Sequence, residues 1–465
     1  MIKKACRTVA AFVLILLSQG LYSQNDYKVS FYIHECDDSI IYIQGYCGSD
    51  ISIKDSMKIL KDGSFSGVLR DYHTGLYTVK SQKGDLFSFL LDKSRDFSLE
   101  VYPTGEYAVT GSPENDLFFM YQYENKKCQR AMYYYKLDVQ KNPEKADSLR
   151  NAVVQIMDTF EVFQQKFCES YPDNLMASVT TGMQQAVPSR FLEDGKLKQG
   201  MEKEYAYYYR MHYWDNFRFK DGRILYTPYF IKQFNTYISE ITVQIPDSVC
   251  LAIDDFIQTA DIRGGREYAD YIIAWYLDNL YKLPFSFNEI IYKHVTDKYM
   301  IRASEYLMPS VIEFHRDNIA RITPFLPGKV MPNLFLRDLE GNPYKLYTQK
   351  NEYTVLFFFS STCSNCKKNL DDLKRFYDSG KEKYDVEIVC VDVEPEIEIC
   401  KLRQKEDPFK WVVLHCNTSD LEQYGLYIDH TPEIYILDKN KHVINKTAVY
   451  DHVRRTVEND YNNKR

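Results

Sequence analysis

The sequence has little glycine, little proline and no excess of positive charge. Its 465 residues contain 19 glycines and 16 prolines, which excludes collagen-like and low-complexity material. The formal net charge is −7, and it falls to about −10 when the first 23 residues, with three basic residues and no acidic one, are removed. Binding to phosphates requires a basic surface, so this charge argues against nucleic acid as a partner.

Cysteine and tryptophan are also sparse. The 11 cysteines are too dilute for the disulfide framework of a small secreted domain, and among them only Cys363 and Cys366 have an informative spacing. Three tryptophans stand against 40 tyrosines and 27 phenylalanines. We interpret this imbalance mainly as packing, with an aromatic platform for a ligand as the alternative.

Residues 1–23 have the layout of a secretory signal peptide. A basic stretch is followed by an apolar run from Val9 to Leu17 and by small or polar residues, which predicts cleavage near Ser23. An uncleaved membrane anchor is the alternative, but the run is shorter than the ~20 residues that a span needs. We therefore expect a periplasmic or otherwise exported protein that is soluble after cleavage, with no requirement for membrane association.

The length and the patterning predict a multidomain chain. At roughly 100 to 200 residues per domain, two to four domains are expected. Short alternating runs separated by turn signals predict an N-terminal all-β domain, a small sandwich or barrel, over residues 24–114. Long amphipathic segments predict a central all-α region over residues 115–322. Two prolines and a glycine predict a linker at residues 323–329.

After residue 330 strands alternate with helices. A continuous apolar run at Tyr353–Ser360 predicts a strand buried on both faces, and a helix follows from Cys366 to Tyr377. A second buried strand is predicted at Val386–Val393, and a closing hairpin begins at Glu433. This order predicts an α/β domain, in which helices cover a mixed sheet, over residues 330–465.

The two informative cysteines lie where the buried strand ends and the helix begins. At such a junction Cys363 faces unpaired N–H groups and the positive end of the helix dipole, which favour the thiolate. A thiolate attacks a disulfide, and a second cysteine one turn later can resolve the mixed disulfide. We therefore predict that Cys363 is the attacking thiol and Cys366 the resolving thiol, with no cofactor and no metal.

Other interpretations of the pair are a structural disulfide, half of a zinc site or two ordinary thiols. Zinc would need a second ligand pair, and no nearby pair completes the site. Haem attachment would need histidine where Lys367 stands. A peroxidatic site would need proline where Leu356 stands. Its other requirement, threonine or serine three residues before the reactive cysteine, is met by Ser360. The position between strand and helix favours disulfide exchange.

Residues 330–465 resemble the thioredoxin-fold module of the exported TlpA/ResA-like disulfide reductase family. The resemblance rests on the leading segment Pro332–Gly341, on the strand that enters the Cys-x-x-Cys motif, and on Thr431-Pro432 before the closing hairpin. It implies a thioredoxin-like domain in which a cis-proline at Pro432 faces the cysteines. It also implies that the backbone of Thr431 is exposed for pairing with a substrate.

The sequence departs from the family pattern at the positions around the cysteines. Thr362 replaces the common tryptophan before the first cysteine, and the buried acid that serves as a proton relay has no clear counterpart. Asn369 occupies the helix position three after the second cysteine, and Phe357 the strand position six before the first. Asn369 and His430, next to Thr431, are the candidates for a relay, with an ordinary surface-loop histidine as the alternative for His430.

These features favour an exported thiol-disulfide oxidoreductase that reduces protein disulfides. Its partners would be protein thiol or disulfide substrates and a reducing electron-donor protein. Residues 24–322 resemble, less specifically, the β-rich and helical domains of unknown function that precede thioredoxin modules in exported bacterial proteins. Their size leaves two alternatives open, which are a binding or assembly protein with the thioredoxin module as a scaffold, and a redox sensor.

Overall fold

The computed structural model describes residues 26–142, 146–184, 187–193, 196–368 and 370–464. The predicted signal peptide at residues 1–23 and the candidate relay Asn369 lie outside the described residues. The described chain forms two compact units, of which one contains residues 26–244 and 251–272 and the other residues 245–250 and 273–464.

The first unit begins with eight strands. They are β1 (Tyr27–Ile33), β2 (Ile40–Cys47), β3 (Asp50–Lys58), β4 (Ser64–Leu69), β5 (Gly75–Ser81), β6 (Gly84–Leu91), β7 (Asp96–Val101) and β8 (Tyr107–Thr110). They form two four-stranded sheets, in the orders β4-β1-β7-β8 and β3-β2-β5-β6. Alternate residues of β1 are buried, and the Phe31 ring lies 5.5 Å and 5.1 Å from Phe87 and Phe89 of the other sheet. The predicted all-β domain is confirmed as a sandwich.

Helices follow the sandwich. They are α1 (Pro113–Lys141), α2 (Ala146–Ser170), α3 (Leu175–Met183), α4 (Glu202–Met211), α5 (Pro228–Thr236), α6 (Pro246–Ile262) and α7 (Arg266–Leu280), and the division between the units passes through α6 and α7. The predicted helical region is confirmed. It is interrupted only briefly among the described residues, by a hairpin of β9 (Leu192–Glu193) and β10 (Lys196–Leu197), whose strands are too short for a recognisable sequence pattern.

The second unit continues with α8 (Ser286–Ala303) and α9 (Pro309–Ile322) and then forms an α/β domain. Its strands are β11 (Phe335–Asp338), β12 (Pro343–Lys345), β13 (Tyr353–Phe359), β14 (Val386–Asp392), β15 (Val412–His415), β16 (Glu433–Asp438) and β17 (Val443–Thr447). Its helices are α10 (Ser364–Lys367), α11 (Leu370–Tyr384), α12 (Ile397–Glu406), α13 (Thr418–Glu422) and α14 (Tyr450–Asn463). Among the helices of the described ranges, none is long and apolar enough to cross a membrane.

Strand β13 is the centre of this second unit. The seven-stranded sheet has the order β12-β11-β15-β14-β13-β16-β17, with β13 parallel to β14 and antiparallel to β16. All seven residues of β13 are buried. Val355, Phe357 and Phe359 belong to one hydrophobic cluster, and Leu356 and Phe358 to a second one on the opposite face. The prediction of a strand that is buried on both faces is therefore confirmed.

Three details differ from the sequence-based picture. The helix predicted from Cys366 to Tyr377 is two helices, α10 and α11, because Lys368 has an extended backbone (φ −68°, ψ 127°). Strand β15 and helix α14 were not predicted. Residues 323–329, interpreted as a linker, begin with a short 3₁₀ helix, Thr323–Phe325, and Phe325 is buried in the second hydrophobic cluster.

A substitution at Phe358 tests the packing of the second cluster. Phe358 is fully buried, and its ring lies 6.2 Å from that of Tyr435. Removal of such a ring leaves a cavity, so we expect Phe358→Ala to lower the free energy of unfolding by about 3–5 kcal/mol. Phe335→Ala, at a side chain that is 54% exposed, should change it by less than about 0.5 kcal/mol. Denaturant titration measures both, and equal effects would contradict the assigned core.

Candidate functional site

Cys363 lies directly after the central strand, at the N-terminus of α10. Its backbone is extended (φ −69°, ψ 116°), and its Sγ accepts a hydrogen bond from the N–H of Cys366 at 3.2 Å. The thiol thus caps the helix in the way that a serine or asparagine side chain usually does. Cys366 lies one turn further along and is only 3% exposed, whereas Cys363 is half-buried.

The Thr431-Pro432 loop lies against the first cysteine. Cys363 Sγ is 3.4 Å from the carbonyl oxygen of Thr431, and the Thr431–Pro432 peptide bond is cis. The sheet brings these segments together because β16, which begins directly after Pro432, pairs with β13, which ends just before Cys363. Thr431 is half-buried, and its neighbour His430 is exposed.

The two thiols have opposite pKa shifts. Partial burial raises the pKa of Cys363, but hydrogen bonds to its sulfur from the Cys366 thiol, from the Thr431 side chain and from backbone N–H groups outweigh this effect and lower it. Burial, together with the hydrogen bond to Cys363, raises the pKa of Cys366 to about 12. The first cysteine therefore ionises more readily than an ordinary thiol, and the second stays protonated near neutral pH.

Two acidic residues hold the loop that leads to Cys363. Glu394 Oε2 accepts hydrogen bonds of 2.6 Å from the hydroxyls of Ser360 and Thr362, and these bonds lower the pKa of Glu394. Asp392 is fully buried and accepts from the backbone N–H and from the hydroxyl of Ser361. Together the two carboxylates fix all three residues between β13 and the first cysteine.

The sequence analysis missed Asp392 and Glu394. Both lie at the carboxyl end of β14, which runs parallel to β13 in a register that pairs Phe359 with Asp392. Polar residues that follow a buried parallel strand collect at the same edge as the end of the neighbouring strand. The alternation in Val391-Asp392-Val393-Glu394 was thus an available signal. Asp392 also receives a hydrogen bond from the buried Cys400 thiol, whose pKa is raised by burial and by this contact.

Tyr450 supports the second cysteine from the opposite side. Its hydroxyl donates a hydrogen bond of 2.7 Å to the backbone carbonyl of Cys366, and its ring packs edge-on against Phe357 at 5.7 Å. Sequence reasoning missed Tyr450 as well, because the helix that it begins, α14, was not predicted.

Within the described residues, the other thiols and charged groups form neither a disulfide nor a metal site. All ten cysteines within the described ranges are free. Across the same ranges, no group of three or more histidine, cysteine, aspartate or glutamate residues is arranged to hold a metal ion.

This combination of fold and loop defines a thioredoxin-like domain, and sequence comparison agrees with it. Residues 327–446 match the AhpC/TSA family, and residues 197–313 match a domain of unknown function, DUF5106. The C-terminal module is thus a thioredoxin-fold domain of the AhpC/TSA type, preceded by a DUF5106 domain, and the predicted relation to TlpA/ResA-like proteins is confirmed.

Among curated proteins, the chain is similar to two Bacillus proteins named thiol-disulfide oxidoreductase ResA. The protein from a strain of Bacillus cereus is 29% identical over 120 residues, which are 26% of this chain and 68% of that protein. The protein from Bacillus thuringiensis subsp. konkukian is 29% identical over 118 residues, or 25% of this chain and 66% of that one. The similarity thus covers about a quarter of this chain.

Two solved structures are also similar. A thioredoxin-like protein from Bacteroides caccae is 18% identical and covers 59% of this chain and 96% of its own, with a TM-score of 0.47. The thioredoxin domain of a thiol-disulfide oxidoreductase from Bacteroides vulgatus is 28% identical and covers 29% of this chain and 96% of its own, with a TM-score of 0.26.

The opposite pKa shifts predict different reactivity of the two thiols. In the reduced protein, alkylation of Cys363 by iodoacetamide should rise with pH through a midpoint below the ~8.5 of a free thiol, because only the thiolate reacts. Cys366 should stay unmodified until the protein unfolds. Mass spectrometry of each cysteine measures both, and the Cys366→Ser variant isolates the titration of Cys363. A Cys363 midpoint at or above that of a free thiol would contradict the assigned hydrogen bonds.

Proposed function

We propose that the protein is an exported thiol-disulfide oxidoreductase that reduces protein disulfides through Cys363 and Cys366. The observation that carries this proposal is the contact between Cys363 Sγ and the Thr431 carbonyl, beside a buried second thiol. A readily ionised sulfur next to a backbone edge suits attack on a disulfide within a polypeptide. The relatives named thiol-disulfide oxidoreductase support the same class of reaction.

In the first step, the Cys363 thiolate attacks one sulfur of a substrate disulfide. A bond forms between Cys363 Sγ and that sulfur, the substrate S–S bond breaks, and the second substrate sulfur leaves as a thiolate. The loop before Cys363 contributes by holding the sulfur in place, since Glu394 and Asp392 bind its three residues. The backbone of Thr431 would pair with the substrate chain next to its disulfide, in the manner of an added strand.

In the second step, Cys366 resolves the mixed disulfide. The released substrate thiolate is the nearest strong base, and it accepts the proton of the Cys366 thiol directly or through water. The new Cys366 thiolate attacks Cys363 Sγ, an internal disulfide forms, and the other substrate sulfur leaves as a thiolate. The substrate has gained two electrons and the protein has lost two, so an external dithiol donor must reduce the pair again.

The high pKa of Cys366 has a consequence for this second step. A thiol with a pKa of about 12 gives up its proton slowly at neutral pH. We therefore propose that resolution limits turnover, with a rate that increases with pH. His430 remains a proposed relay because it lies next to Thr431 and its side chain is exposed.

Export follows from the layout of residues 1–23, with cleavage near Ser23. An exported reductase works where protein disulfides persist. Its donor would then be an exported or membrane-bound protein that presents a reduced dithiol. A donor of this kind would exchange disulfides at the same cysteine, because Cys363 is the more exposed of the two sulfurs.

Insulin reduction with dithiothreitol as donor tests the activity. We expect Cys363→Ser to lower the rate by at least about 100-fold, because the nucleophile is lost. In a separate incubation without dithiothreitol, pre-reduced Cys366→Ser should form a mixed disulfide with insulin that survives non-reducing electrophoresis and disappears with reductant. Cys128→Ser, at another half-buried cysteine, is the control and should match the wild type. A Cys363→Ser variant as active as the wild type would exclude the enzyme and favour the scaffold alternative.

A further inference from the structure

A buried cluster of three charged side chains lies under the substrate-facing loop. Lys446 Nζ is 2.7 Å from Glu289 Oε1 and 3.0 Å from Glu433 Oε1. The three side chains are between 4% and 8% exposed. Charges are rarely removed from water to this degree unless they are paired, and breaking a buried pair is strongly unfavourable. The three groups must therefore keep their relative positions.

The cluster joins three separate parts of the chain. Glu433 is the residue after Pro432 and begins β16, while Lys446 lies on the neighbouring strand β17. Glu289 lies in the first turn of α8, within the segment that matches DUF5106. The backbone N–H of Lys446 also donates a 2.7 Å hydrogen bond to Ser286 Oγ, at the start of the same helix. Helix α8 is thus tied to β17 by both a side chain and the backbone.

The preceding helix segment also contacts the other end of the loop. The guanidinium of Arg321, in the last turn of α9, lies 3.7 Å from the centre of the Tyr427 ring. Tyr427 precedes Thr431 by four residues. Helix α9 therefore contacts the segment before the loop, and α8 contacts strand β17, which pairs with the strand after the loop. A cation over an aromatic ring is a modest interaction at an exposed site, and the buried cluster is the stronger of the two constraints.

We propose that Glu289 is a positioning residue for the substrate-facing loop. It holds Lys446, Lys446 holds the Glu433 carboxylate, and Glu433 fixes the start of β16 directly after Pro432. The helical segment would in this way determine how closely Thr431 approaches Cys363. This inference rests on the proposed function, because it assigns the loop to substrate binding.

The charges support a role beyond simple attachment. Two carboxylates face one ammonium, and the buried Glu289 Oε2 has no hydrogen-bond partner among the residues that the structure describes. A hydrophobic contact would attach the helix without the free-energy cost of removing charged groups from water. The charged groups in addition fix the orientation of the Glu433 carboxylate, because Lys446 Nζ contacts both carboxylates at once. Small displacements of binding groups reduce catalysis strongly, so such a constraint matters most beside a reacting sulfur.

The test compares Glu289→Ala with Glu289→Gln, which keeps the shape and one acceptor oxygen. If the cluster positions the loop, Glu289→Ala weakens the hydrogen bond from the Thr431 side chain to the Cys363 sulfur, which helps to lower the pKa of Cys363. The alkylation midpoint of Cys363 should then move upward by roughly 0.5 to 1 pH unit, the size expected for one lost hydrogen bond. The KM for insulin should rise about tenfold. Glu289→Gln should show smaller changes in the same direction.

The matched control is Asp297→Ala, on the same helix. Asp297 pairs with Lys293 at an exposed site, and its removal should leave both the alkylation midpoint and KM unchanged. Circular dichroism and thermal melting establish that each variant is folded. If Glu289→Ala does not fold, Glu289→Gln decides the question by the same two measurements.

The outcomes separate this inference from the proposed function. Folded Glu289 variants with the wild-type alkylation midpoint and the wild-type KM would overturn the positioning role, even if melting temperature falls, since that result describes attachment only. A shifted midpoint in a protein whose wild type does not reduce insulin would keep the positioning role and reject the proposed function. A full loss of Cys366 protection in Glu289→Ala would indicate general unfolding of the domain, and the midpoint and KM of Glu289→Gln would then decide the question.

Discussion

The site depends on the complete burial of one strand. Strand β13 has hydrophobic clusters on both faces, so a shift of its register by one residue would exchange the two faces and disrupt both clusters. Its end at Phe359 is therefore fixed, and the chain must turn within Ser360–Thr362 to reach the helix that carries the cysteines. Because β14 runs parallel to β13 and ends at the same edge, its terminal carboxylates bind this turn.

The sequence predicted those features that depend on residues close together in the chain. The apolar run of β13, the spacing of Cys363 and Cys366, and the alternation in the N-terminal strands each follow from neighbouring residues, and the fold class was predicted on that basis. Asp392 and Glu394 were missed because the alternation of polar and apolar residues there points to the site only once β14 is placed next to β13, and that pairing spans 33 residues. Glu289 and Lys446 are 157 residues apart, so their contact could not be predicted from neighbouring residues either.

The opposite shifts of the two thiols show how position alone differentiates identical side chains. Cys363 stands at a helix start and collects donors, whereas Cys366, three residues later, enters the hydrophobic cluster beneath. Neither shift needs a charged neighbour as its main cause. The nearby carboxylates instead bind hydroxyl and backbone donors of the loop, which allows acidic groups to stabilise the turn beside a sulfur whose pKa is lowered.

The tie between helix α8 and strand β17 bears on how such a chain can evolve. A gene fragment that encoded only the residues after about 330 would place Lys446 beside Glu433 with one flank uncovered, and it would lack Phe325 from its second cluster. Recombination at that boundary would yield a domain with an uncovered Lys446–Glu433 ion pair and an incomplete hydrophobic cluster. In this chain, the α/β domain therefore depends on α8 to cover Lys446 and on Phe325 to complete its second cluster.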